Sequence, residues 1–192
     1  MRGAVPRQAG TRGAVPPATS RTRGAVPRQP WTPPGTLRNV SIRLPGFMYQ
    51  AIGTILTDHR VAAFHRRLYE GTAGSGIVGH ALGVPMILLT TTGRRSGISR
   101  VSPLVAIPDG DDWLIVASNG GRGRLPGWAH NLRSDARASV RYRDRVSDAH
   151  AHEAVGEERE RVWPLAVSAY PGYEVYAARS SVPIPVFVLE TA

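Results

Sequence analysis

The 192-residue chain contains no cysteine and no lysine. Without cysteine there are no disulfides and no thiolate metal sites. All 24 basic residues are arginine, a pattern that fits the coding bias of a GC-rich genome as well as a functional choice. No apolar run approaches the length needed to cross a bilayer, and residues 1–36 lack the apolar core of a secretory signal. There is no G-x-S-x-G elbow and no Walker loop, so hydrolase and nucleoside-triphosphatase chemistry have no footing. The expectation is a cytoplasmic protein, with a hydrophobic share of 42% that suffices for one domain core.

Acidic residues are absent from the first 57 positions, which hold eight arginines; residues 58–192 hold 16 arginines and 14 acids. The net charge of +10 is therefore +8 from the first stretch and +2 from the second. Within residues 1–30, RGAVPRQ (2–8), RGAVPPA (12–18) and RGAVPRQ (23–29) form an imperfect repeat. Seven prolines among the first 34 residues exclude helix and sheet ladders. Residues 1–43 read as a disordered Arg/Pro-rich leader and 44–192 as the folded domain. The leader is a solvated tail, or the product of a start codon placed too far upstream. The competing reading is a loose electrostatic contact with nucleic acid or an anionic membrane surface. Nucleic acid ranks last because the charge lies in a segment without aromatic interleaving.

Residues 46–70 are apolar at helical spacing (Ile52, Ile55, Leu56, Val61, Phe64, Leu68), with Asp58 as a candidate N-cap. Residues 71–83 are glycine-rich and predict a loop. Strands are predicted at 85–92, 100–107, 113–118, 136–143, 146–155 and 184–189, and helices at 126–134, 156–169 and 171–179. Short strands in succession with helices at the ends predict a mainly β protein with flanking helices, a closed antiparallel barrel rather than a doubly wound sheet.

The segment LLTTTGRRSGISR (88–100) carries the strongest chemical signal. An apolar, β-branched strand stops at Gly93 and gives way to Arg94, Arg95, Ser96 and Arg100. Glycine lets backbone approach a ligand closely, and arginine forks match phosphate or carboxylate oxygens. Taken alone, the segment also reads as a solvated hairpin turn. The third strand ends in Ala117, Ser118, Asn119, Gly120 and Gly121, small and amide groups suited to a backbone-lined ligand surface. Pro126, Gly127 and Trp128 follow, placing an indole near that surface. Tyr170, Tyr173 and Tyr176 recur every third residue and share a helical face. Such a stripe packs a core or, because phenol tips need partners, walls a pocket. GSGIVG (74–79) matches a dinucleotide fingerprint in letters only, because it follows a helical pattern and has no ribose-binding acid 20 residues on. His150, His152 and Glu153 offer too few ligands for zinc and read as an exposed strand face, so no metal is expected.

In order and with similar spacing, LLTTTGRRSG, SPL, DGDDWLIVASNGG, PGWAHNL, GEERERVW, AYPGYEVY and IPVFVLE resemble the deazaflavin (coenzyme F420)-dependent nitroreductase and quinone reductase family over residues 47–190. The resemblance implies a split β-barrel related to flavin reductases and pyridoxamine-phosphate oxidases. It implies hydride transfer from reduced F420 to a quinone, nitroaromatic or similar small electrophile. By position, Arg94, Arg95, Ser96 and Arg100 would hold the phosphate and acidic tail of the cofactor. Val116, Ala117, Ser118, Asn119 and Gly120 would lie along the deazaflavin, and Pro126, Gly127 and Trp128 would close its other side. Tyr170, Tyr173 and Tyr176 would line the acceptor pocket, with Tyr173 the leading proton donor and Ser118 the second. FMN on the same barrel, or cofactor binding without catalysis, are the alternatives. Asn119 stands where some relatives carry Lys, and Gly127 and Ala129 are smaller than some counterparts.

Overall fold

The computed structural model describes residues 80–81 and 83–191, together with the single positions Pro45, Met48 and Gly71. The leader, most of the helical stretch at 46–70 and the GSGIVG segment lie outside the described residues. From residue 80 on, eight strands, three α-helices and one 3-10 turn (Asn119–Gly121) are described, in chain order β1 (His80–Ala81), β2 (Val84–Thr92), β3 (Ser99–Val105), β4 (Ile107–Asp109), β5 (Asp112–Val116), α1 (Gly127–Ser134), β6 (Arg137–Tyr142), β7 (Arg145–Glu153), α2 (Gly156–Ala169), α3 (Gly172–Ala177) and β8 (Val186–Thr191).

All strand pairs are antiparallel, in the order β1-β2-β6-β7-β8-β5-β4, with β3 on the remaining edge of β2. The sheet curls back on itself because β3 and β4 are consecutive, separated only by Ala106. The β3 half pairs with β2 and the β4 half with β5. Ala106 is fully buried and its N–H donates to the carbonyl of Pro85 at 2.9 Å. The strand expected at 100–107 is therefore two strands, bent where a small residue lets the chain turn inward. This is the expected split β-barrel with flanking helices.

Two hydrophobic layers hold it. The barrel interior contains Ile87, Leu89, Trp113, Ile115, Trp128, Phe187 and Leu189. A second layer, between the outer sheet face and the helices, contains Leu114, Val116, Val162, Ala166, Val186, Val188 and the three tyrosines. β5 and β8 alternate residue by residue between these layers, which explains why WLIV and VFVL read as continuous apolar runs. Each fully buried aliphatic side chain contributes about 1.5–3 kcal/mol.

Four boundaries differ from expectation for identifiable reasons. The strand expected through Ser118 stops at Val116: Ala117 N–H still bonds the carbonyl of Pro185 (2.9 Å), but Ser118 already has helical backbone and the chain then turns left-handed. The last strand begins at Val186, since Pro183 and Pro185 supply no N–H for a ladder. The helix expected at 171–179 is the shorter Gly172–Ala177. Within the segment expected to be loop, His80 and Ala81 pair with Pro85 and Val84 across Gly83, whose φ is +83°.

The topology decides where loops meet. Following the antiparallel pairings around the sheet, β2, β5 and β7 run in one direction and β3, β6 and β8 in the other. One rim therefore carries the 93–98 turn, the 117–126 segment leading into α1, and the chain entering β8. These are the segments that hold the candidate site residues.

Candidate cofactor and acceptor site

The arginine turn is built by its backbone. Gly93 N–H donates to the carbonyl of Ile98 (2.9 Å), and the N–H groups of Ser96 and Gly97 return to the carbonyl of Gly93 (3.1 and 2.7 Å). Ser96 Oγ accepts from Ile98 N–H at 3.3 Å. Glycine is required at 93: a Cβ there would lie 2.8 Å from Ser96 Oγ and 3.0 Å from the carbonyl of Ile98. Arg94, Arg95 and Arg100 all project into solvent, and among the described residues none has an acidic partner. Other arginines do: Arg133 pairs with Glu153, Arg137 with Asp135, and Arg161 with Asp109. A rigid turn presenting three uncommitted guanidiniums fits an anionic group.

Asn131 ties this turn to α1, and sequence reasoning passed over it. Its Oδ1 accepts from Arg94 N–H at 3.1 Å, and its Nδ2 donates to Thr91 Oγ1 at 3.0 Å. Tyrosine and tryptophan aside, Asn131 and Thr91 are the only buried polar side chains among the described residues. The available signal was an amide on the same helix face as Trp128 and Leu132, spaced i, i+3, i+4, where an apolar residue would otherwise sit.

Beyond β5 the backbone turns through three consecutive positive φ values, Asn119 (+48°), Gly120 (+64°) and Gly121 (+75°). Asparagine is among the few side chains that tolerate this region, and its Nδ2 donates to the carbonyl of Arg124 at 3.1 Å. Gly121 is further restricted, because a Cβ there would fall 2.8 Å from the Tyr176 ring. This turn, the 123–125 loop, Tyr176 and the segment 180–185 line a half-open cavity of about 110 Å³. Of the residues assigned from sequence to cofactor and acceptor, the cavity is lined by Ala117, Ser118 and Tyr176; Arg124, Leu125, Val182 and Ile184 complete it.

The remaining assigned residues sit elsewhere. Val116 is buried beneath the helices in the tyrosine layer. Pro126 caps α1, Gly127 opens it, and the Trp128 indole lies in the barrel interior edge-on to Phe187, with centroids 5.6 Å apart. The three tyrosines do meet, with ring centroids 5.0 to 6.5 Å apart, although Tyr170 belongs to the end of α2 rather than to one helix shared with the others. Tyr170 and Tyr176 hydroxyls are 3.1 Å apart. A Cβ at Gly172 would collide with the Tyr170 ring, so glycine there makes the cluster possible. Burial, reinforced by Tyr176, pushes the Tyr173 phenol well above its ordinary pKa. Burial also raises that of Tyr176, opposed by its bond with Tyr170.

His150 is exposed on the outer face of β7, and His152 Nε2 lies 3.0 Å from both oxygens of Glu158. Glu153 is committed to Arg133 in a two-point contact. Among the described residues, no helix is long and apolar enough to cross a membrane.

A split barrel with an exposed arginine turn and a small, largely apolar cavity on one rim is matched by known cofactor-dependent reductases. The F420H(2)-dependent quinone reductase profile matches residues 61–191. An F420H(2)-dependent quinone reductase of Mycobacterium tuberculosis is 35% identical over 133 residues, covering 65% of this chain and 86% of the relative. The solved structure of an F420-H2 dependent reductase is 42% identical with a TM-score of 0.53, covering 55% of this chain and 94% of its own. A solved chain described as a domain-swapped dimer is 37% identical with a TM-score of 0.54, covering 67% and 96%. The chain belongs to the F420H(2)-dependent quinone reductase family and is an F420-dependent oxidoreductase. FMN finds no support among these relatives.

Proposed function

We propose that this protein reduces a quinone with reduced coenzyme F420. The observation that carries this reading is the shared rim: three unpaired guanidiniums on a rigid turn, and a cavity of about 110 Å³ walled by Tyr176, Val182 and Ile184. When bound, the deazaflavin supplies a hydride. The residues present fit such a cofactor, since its anionic groups need unpaired cations and Arg94, Arg95 and Arg100 provide them beside the Ser96 hydroxyl.

The cavity suits a small, flat, mostly apolar acceptor held within contact distance of the ring system. Quinone reduction also needs a proton at the carbonyl oxygen. Ser118 lines the cavity and is the first candidate to hold that oxygen. Tyr176 also lines it, with its hydroxyl oriented by Tyr170. Tyr173 packs against Tyr176 without lining the cavity, so its contribution is to support the wall.

The test is oxidation of reduced F420 by purified protein with menadione, a nitroaromatic and no acceptor, followed by absorbance. Menadione-dependent oxidation is expected. Binding of F420 with no acceptor-dependent oxidation would reduce the protein to a cofactor-binding module.

A further inference from the structure

One wall of the cavity is an irregular strap, residues 180–185, whose sequence is SVPIP after its first serine. Pro183 and Pro185 have no N–H, so much of the strap can be fastened only through its carbonyls. Beside the internal bond from Ser180 Oγ to the Val182 carbonyl (2.6 Å), two such fastenings tie the strap to other elements. The carbonyl of Pro185 accepts from Ala117 N–H at 2.9 Å, at the end of β5. The carbonyl of Ile184 accepts from Arg159 Nη2 at 3.1 Å, a side chain reaching from α2. Without the second, Ile184, which is 6% exposed and lines the cavity, keeps only its packing and the neighbouring Pro185 bond.

Arg159 is an unusual choice for that task. Its guanidinium lies 4.1 Å from the centroid of the Trp163 ring, one helical turn on. Its Nη1 is buried with no hydrogen-bond partner. A buried donor without an acceptor weighs against folding, so an unbranched apolar side chain would suit this place better if packing were its only purpose. What arginine adds is a charged donor, flattened against an indole and aimed at one carbonyl.

We propose that Arg159 is a positioning residue for the acceptor wall, acting through the Ile184 carbonyl to fix the strap against the cavity. The inference rests on the reading that this cavity takes the acceptor. Arg159 lies outside the arginine turn that would hold the cofactor, so acceptor and cofactor affinities should separate.

Three variants of the full chain test this. Arg159→Met keeps an aliphatic stem over Trp163 but loses the donor. Arg159→Lys keeps one cationic donor without the planar fork. Arg161→Met, two residues along the same helix, breaks only the exposed pair with Asp109 (2.8 Å). The KM for menadione should rise about tenfold in Arg159→Met and about threefold in Arg159→Lys, the scale of one charge-assisted hydrogen bond. It should stay at the wild-type value in Arg161→Met, and the Kd for F420 should hold in all three. If Arg159→Met does not fold, the comparison of Arg159→Lys with Arg161→Met carries the result. An unchanged menadione KM in the Arg159 variants, or an equal rise in the F420 Kd, overturns the proposal. The affinity of the complex with oxidised F420 for menadione, measured calorimetrically, reads the wall even in a protein that fails to turn over. A failure of the functional reading is thereby separated from a failure of this one.

Discussion

The arginine turn and the tyrosine cluster hold chemical groups in opposite ways. In the turn, backbone hydrogen bonds and the buried Asn131 amide fix the chain, while the side chains are left in water without partners. In the cluster, the phenol rings are fixed against each other and against glycines at 121 and 172, and burial keeps Tyr173 and Tyr176 neutral. A site for an anion needs charge that is solvated until the ligand replaces the water. A site for a flat apolar acceptor needs walls that are already dry. On the proposed reading, that difference would let one rim serve two ligands of unlike polarity.

The largest break in this comparison comes from removing the charge. Arg95→Ala with Arg100→Ala should weaken F420 binding by at least about a hundredfold, since each lost ionic hydrogen bond is worth about 1.5–3 kcal/mol. Because these side chains have no protein partners among the described residues, the melting temperature should stay near that of wild type. Titration calorimetry and a thermal melt read both quantities, and unchanged affinity would remove the turn from the site.

Gly121→Ala attacks the other half and should show the reverse pattern. The methyl group meets the Tyr176 ring and the backbone is left-handed there, so a destabilisation of about 2–4 kcal/mol is expected. Denaturant unfolding measures it. An alanine variant as stable as wild type would show that the ring is not held where the structure has it.

The smallest effect concerns pH. The folded-state phenol pKa of Tyr173 is raised, so its contribution to stability is complete below the ordinary phenol value of about 10 and declines as pH rises above it. Tyr173→Phe removes that titration, and its stability should fall less steeply than wild type between about pH 10 and 11. Urea unfolding at pH 8 to 11 provides the slopes. Parallel slopes would mean that Tyr173 ionises in the folded protein as it does in the unfolded chain.

Much of the fold was legible because the periodicities are strong. The helix at 156–169 agrees residue for residue, and β2, β6 and β7 agree within one or two residues. The bend at Ala106 was not, because nothing in PLVAIPDG marks where pairing passes from β2 to β5. In the site, the arginines and Ser118 could be read from local spacing. Asn131, Arg124 and the strap could not, since their importance arises from partners 37 residues away, from a cavity, and from carbonyls that any sequence possesses. The indole of Trp128, beside a glycine-rich segment, reads as a ligand surface, whereas its packing against Phe187 in the barrel interior depends on a residue 59 positions away.

The bend at Ala106 bears on which edges of the sheet another strand could join. Apart from the two-residue β1, one segment serves as both margins of the sheet, so among the described residues each half has one flank without a strand partner. Pro103 stands in the β3 half and Pro108 in the β4 half, and neither can donate to an incoming strand. The seam that lets the barrel split is thus also poorly suited to being zipped open and extended by a neighbour.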